Sequence, residues 1–170
     1  MTGLDAERIA ETVVSPKVKG KLIWARSKDD KSVDPQDWEF LFFDPFADSN
    51  GRLVEVQGNA VRRIAEGLLE WQSGRLLSYK ETEVIPLYTI RINSNQALAM
   101  VQQAAGITQV QPSRVDYVLA ADPVNDTPSW QMTIYAFRHD NGEETELGTA
   151  RISATTGQIF AMKIKPERLH

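Results

Sequence analysis

The chain has no cysteine and only two histidines in 170 residues. The first absence excludes disulfides, thiolate metal sites and a cysteine nucleophile. The second leaves little room for imidazole chemistry. His139 falls at a predicted hairpin tip and His170 is the last residue, so neither is placed for a Ser-His-Asp arrangement or for a set of converging metal ligands. Nucleophile-elbow, P-loop and dinucleotide-binding glycine patterns are also missing. No apolar run approaches the ~20 residues of a membrane span. The start, MTGLDAERIAE, lacks the basic-then-apolar pattern of a signal peptide. The compartment stays open: exported or periplasmic if a leader was trimmed, cytoplasmic if the chain is native as given. Basic charge is short too. The net charge is −4 and the pI is ≈ 5.2, and the basic runs at 17–21 and 62–63 are brief. That argues against a nucleic-acid partner, which requires a basic surface.

What the chain does hold is an ordinary globular composition, 42% hydrophobic and 25% charged, enough for a core without staples. It also holds an apparent internal repeat. Trp24 precedes the run WEFLFF at 38–43, then Gly51 and VEVQG ending at Gly58. Tyr117 precedes the run WQMTIYAF at 130–137, then Gly142 and ISATTG ending at Gly157. A helical period precedes each copy. Ala6, Ile9, Ala10, Val13 and Val14 share one helix face, with Thr2 as cap and Ser15-Pro16 as stop. Ala97, Met100, Val101, Ala104 and Ala105 share another, with Asn93 and Gln96, or Ser94 alone, as cap and Gly106 as terminator. Aromatic-rich alternating runs then predict strands over 22–27, 38–43, 53–57, 114–121, 129–138, 144–154 and 158–164. Residues 59–71 carry a helical period, but the repeat predicts a short strand over 60–65. Residues 85–92 are expected to be extended and packed.

The fold class expected is α+β: two tandem helix-plus-antiparallel-sheet repeats. The first spans 1–72, a connection 73–86, the second 87–165 and a tail 166–170. Three segments carry a family resemblance: SNQAL at 94–98, PSWQMTIY at 128–135 and ARISATTGQI at 150–159. They are similar to the helix start, central strand and closing hairpin of PepSY-like domains, which have a cystatin-like shape. The match is better over 93–164 than over 4–65, where Val56-Gln57-Gly58 replaces the Thr-Thr-Gly turn. A tandem pair also resembles beta-lactamase-inhibitor-like proteins in architecture. What this implies is a non-enzymatic protein-binding or inhibitory module, its partner another protein such as a protease or an envelope protein. The group's motifs are structural and imply no cofactor and no metal.

Candidate sites follow from the strand faces. Trp38, Phe40 and Phe42 share one face of their strand, and Trp130, Met132, Ile134 and Ala136 share one face of theirs. The Trp faces are assigned to the core. Leu41, Phe43, Tyr135 and Phe137 then point the other way. Burying a Phe is worth roughly 2 kcal/mol, so something should cover them. The two sheets packing on each other or running on as one, the connection between copies, a homodimer, or a docked partner protein or ligand could do so, and these four residues are the predicted partner-binding surface. On that reading, serine at Phe43 and Tyr135 abolishes partner capture and leaves stability nearly intact. The alternative function is binding of a small apolar ligand in a pocket between helix and curved sheet, lined by Trp24, Phe42 and Met132. Trp71 and Tyr79 either lid a groove or plug a core gap. The carboxylate candidates, Asp37 with Glu39 and the loop group Asp122, Asn125 and Asp126, read as solvent-facing and turn-forming residues respectively.

Overall fold

The structure, a computed structural model, describes residues 1–28, 31–67, 69–70, 75–76 and 78–169. Helix α1 (Gly3–Ala10) opens the chain. Strands β1 (Leu22–Ser27), β2 (Asp37–Phe43), β3 (Gly51–Gln57) and β4 (Ala60–Glu66) follow, then a minimal hairpin, β5 (Leu69–Glu70) and β6 (Arg75–Leu76). Helix α2 (Ser94–Ala104) leads into β7 (Arg114–Ala121), β8 (Pro128–Phe137), β9 (Glu144–Ser153) and β10 (Ile159–Ile164). None of the helices among the described residues is long and apolar enough to cross a membrane.

The expectation of two helix-plus-sheet repeats is overturned. The eight long strands form one continuous antiparallel sheet in the order β10-β9-β8-β7-β1-β2-β3-β4. Its seam is the pairing of β1 with β7, Ala25 opposite Leu119 and Arg26 opposite Val118. Two separate sheets would each leave the first strand with a row of unpaired backbone groups. Joining them satisfies part of each row. The Tyr117 N–H donates to Ser27 Oγ at 3.0 Å and the Val115 N–H to the Ser32 carbonyl at 3.2 Å, extending the seam.

Packing fuses the two sides of the seam further. On the helix-covered face, beyond Leu22, β1 shows the small Ala25 and Ser27, opposite Phe40 and Trp38 of β2. Large rings therefore meet above it. Trp38 stacks on Tyr117 at 6.1 Å, and Trp130 meets both edge-on at 6.3 and 6.2 Å. Both tryptophans are fully buried, and their indole N–H groups donate to the Pro35 and Ile92 carbonyls. Gly3 rests on this cluster: a Cβ there would lie 2.5 Å from the Trp130 ring.

The two helix starts satisfy each other. The Gly3 N–H donates to Ser94 Oγ and the Leu4 N–H to Asn93 Oδ1, both at 3.1 Å, while Asn93 Nδ2 donates to Thr2 Oγ1 at 2.6 Å. These are donors that a helix N-terminus cannot satisfy within itself. The Asn93–Gln96 capping box forms, and Gly106 follows at φ 67. Helix α1 is shorter than its apolar period. It stops at Ala10, where Thr12 Oγ1 donates back to the Ile9 carbonyl at 2.7 Å and competes with the next turn. The strand expected over 60–65 forms as β4. Residues 85–92 are not simply extended: Leu87–Thr89 makes a 3-10 turn and leaves Tyr88 exposed.

Candidate functional site

Because the helices and the main core occupy one face, the charged and polar strand residues collect on the outer face. Register decides which meet, and one irregularity decides what sequence alternation misplaces. A β-bulge at Leu22/Trp24 puts Trp24 opposite Leu41, on the outer face, while Leu22 stays opposite Phe42. Phe42 and Met132 are buried in the helix-side core. The predicted ligand pocket of Trp24, Phe42 and Met132 therefore does not form, since its members lie on opposite sides of the sheet. Trp24 instead lies under the Arg26 guanidinium, 5.1 Å from the ring centroid.

The predicted partner surface also divides. Leu41 is fully buried and Phe43 nearly so, in a small cluster with Ile23, Trp24, Tyr79 and Val84. The segment that covers them is pinned by Tyr79 N–H to the Ser49 carbonyl (2.9 Å) and Ile85 N–H to the Leu22 carbonyl (2.8 Å). Gly51 makes room for it, since a Cβ there would sit 3.0 Å from the Tyr79 ring. Tyr79 is thus a plug. Trp71 lies outside the described residues, as does His170. Tyr135 and Phe137 lie three strands away and about 20 Å further along the strand direction, so the four residues share no patch. Phe137 is 57% exposed. Tyr135 is half-buried under Arg114, whose guanidinium lies 3.5 Å from the ring centroid and also reaches Asp116 and Glu144.

Beside that cluster the outer face carries an ion network over β1–β4. Glu39, nearly inaccessible, accepts from Arg26 Nε at 2.5 Å and Lys28 Nζ at 2.8 Å. Lys28 also reaches Glu55 at 3.4 Å, and Arg63 reaches Glu55 at 3.5 Å. Burial works against charge on Glu39, but the hydrogen bonds from Lys28 and Arg26 outweigh it and hold the carboxyl below the usual range. Asp37 bonds Gln57 instead, so Asp37 and Glu39 do not act as a pair, and Glu39 is not the solvent-facing residue the sequence suggested.

Over β7–β10, beyond the Arg114–Tyr135 contact, the outer face is open. A concave trough of about 460 Å³ runs across these four strands. Val118, Gln131, Thr133, Thr149 and Ala161 form its floor, and Asp116, Arg151 and Lys163 stand around them. Arg151 is held from behind by Asp122, Nη1 to Oδ2 at 2.9 Å. The Asp122 side chain is fully buried. Burial alone would raise its pKa, but N–H groups of Val124 and Asn125, each at 3.0 Å, and the Arg151 charge overcome that and lower it. Asp122 and Asn125 are thus turn-forming residues that also anchor an arginine. The anchoring was not legible in sequence, because it joins the β7–β8 turn to β9 across 29 positions. Among the described residues, no group of three or more His, Cys, Asp or Glu is arranged to hold a metal ion.

Compared with known proteins, the chain matches no family model, no curated protein and no solved structure.

Proposed function

We propose that this protein is a non-catalytic binding module that presents the bare sheet face over β7–β10 to another protein. The observation that carries this reading is the asymmetry of the sheet. One face is sealed by helices, half of the other is sealed by the ion network and the segment around Tyr79, and the remaining quarter is an open trough. Its floor side chains are short and neutral, with hydroxyl and amide groups able to bond a partner's surface or backbone. Arg151 is pre-positioned by Asp122, so less of its rotamer freedom remains to be lost on docking.

The carboxylates favour binding over acid–base catalysis. Glu39 and Asp122 each face a cation within 2.9 Å and have their pKa values lowered, which supports permanent charge rather than proton exchange. A catalytic pair needs two titratable groups pushed apart in pKa at one accessible place. The resemblance of residues 93–164 to PepSY-like domains points the same way, as that group's motifs are structural.

The reading is tested by photo-crosslinking in the source cell. A benzophenone amino acid at Thr133, in the trough, is expected to give a discrete protein adduct. The same group at Val13, 40% exposed on the helix side, is expected to give none. Equal labelling from both positions, or none from Thr133, refutes it.

A further inference from the structure

We propose that β10 is a dimerisation edge, at which two copies of this chain pair antiparallel about Met162 and continue the sheet. A sheet this long has two edges, and every edge offers unpaired backbone groups to other chains. The edges of this one are treated differently. Strand β4 carries Arg62, Arg63 and Glu66 among its seven residues, a charged guard of the usual kind. Strand β10 reads IFAMKI, with Lys163 its single charge and no proline. Among the described residues its one neighbour in the sheet is β9. Among the described residues, 159–164 make no backbone bond outside that pairing.

The backbone orientation follows from one bond. The Lys165 N–H donates to the Leu147 carbonyl at 2.7 Å, toward β9. By the two-residue period Lys163 also faces β9, and Met162 and Ile164 turn their N–H and C=O groups away from the sheet. Met162 is therefore a donor and an acceptor at an open edge. It is also 37% exposed.

The sequence of the edge selects both occupant and register. Pairing about a two-fold axis requires a strand that complements itself and places like faces together. Centring the axis on Lys163 sets two ammonium groups opposite each other, which is unfavourable. Centring it on Ala161 runs the pairing into the β-bulge at Ile159/Ala161, where alternation is lost. Centring it on Met162 avoids both. Met162 of one protomer then exchanges two backbone hydrogen bonds with Met162 of its partner. Each Lys163 lies opposite an Ala161, and its alkyl stem covers that small residue. The charge pattern thus fits a second copy in one register, and a two-fold contact of this kind closes at two chains.

The test uses the whole chain. Sedimentation velocity from about 1 µM to about 1 mM should show a monomer–dimer equilibrium, because a self-association is driven by concentration. Met162→Lys, which opposes two charges at the axis, should raise the dissociation constant at least about tenfold. Ile64→Lys, on the guarded edge, should leave it unchanged. The chain has no cysteine, so Met162→Cys gives a direct readout that does not depend on weakening anything. Backbone-bonded pairs lie about 5.5 Å apart at Cα, within disulfide reach, and oxidation should yield a covalent dimer, whereas Ile64→Cys should not. A monomer throughout the range overturns the proposal and leaves the edge to a strand from another protein. A dimer that ignores Met162→Lys, or that fails to cross-link through Met162→Cys, overturns it equally.

Discussion

Glu7 offers a decisive test of the packing around α1. It lies on the sheet side of the helix, 7% exposed, and its Oε1 has no hydrogen-bond partner. Burial, then the charge and hydrogen bond of Glu11, push its carboxyl up from 4.5 to about 8, with Arg8 pulling weakly the other way. The sign follows from proton counting. Between pH 4.5 and about 8 the folded chain holds a proton on Glu7 that the unfolded chain has released, so stability falls as pH rises through that window. Each pH unit is worth about 1.4 kcal/mol, which gives a loss of about 3 kcal/mol by pH 7 and about 5 kcal/mol above pH 8. Glu7→Gln keeps the shape and the hydrogen-bonding capacity but cannot ionise. At pH 4.5 the variant and the parent should have similar stability. At pH 8.5 the variant should be more stable by several kcal/mol, which is a large share of a domain's total. Urea denaturation followed by circular dichroism at half-unit steps from pH 4.5 to 9 measures this directly. A difference between the two proteins that stays constant with pH would show that Glu7 is solvated and that α1 does not seal the sheet as described.

Three further outcomes follow from packing and charge. Phe43→Ser should cost about 3 kcal/mol, as it empties a site beneath Tyr79 and Val84; Phe137→Ser should change stability by no more than about 0.5 kcal/mol, and thermal melts of the two variants separate core from surface. Gly3→Ala gains up to about 1 kcal/mol in helix propensity but places Cβ 2.5 Å from the buried Trp130 ring, so a net loss of about 1–3 kcal/mol is expected in denaturant melts. Asp122→Ala should destabilise by about 3 kcal/mol at neutral pH, since it strands Arg151 and the turn N–H groups; because the Asp122 pKa is lowered from 3.8, its contribution is present above that value and is lost as pH falls through the lower folded one, so the deficit should shrink in titrations run into strong acid.

The parts of this fold legible in the sequence are those whose cause is local. The Asn93–Gln96 box and the Gly106 terminator depend on a few neighbouring residues, and they stand where spacing puts them. The shared faces of Trp38 and Trp130 could be read because a period of two needs no knowledge of neighbouring strands, and both are buried. What was not legible depends on how strands meet. Nothing in LIWARS announces that β1 will pair with β7, and that one seam converts two expected sheets into one. A single bulged residue between Leu22 and Trp24 sends Trp24 to the wrong side for the pocket assigned to it. The cover over Leu41 and Phe43 comes from a segment whose composition resembles a linker. Arg26, Lys28, Glu39, Glu55 and Arg63 look like scattered surface charge until cross-strand register sets them side by side.

The two halves of the outer face are closed to different degrees. Over β1–β4, each large apolar side chain is capped and the two buried acids each reach two cations. A buried ion pair gives little net stability, because desolvation offsets most of the attraction, so such a network is a way to close a surface rather than a source of strength. Over the trough of β7–β10, no segment among the described residues covers the same sheet. Apolar residues at Thr133 and Thr149 would have drawn a covering segment over the trough, as Leu41 and Phe43 draw the one bearing Tyr79. Hydroxyl and amide groups at those positions let the surface stay wet without penalty, and a buried aspartate is committed to fixing one arginine beside it. Keeping this quarter open while closing the rest fits the docking role proposed above.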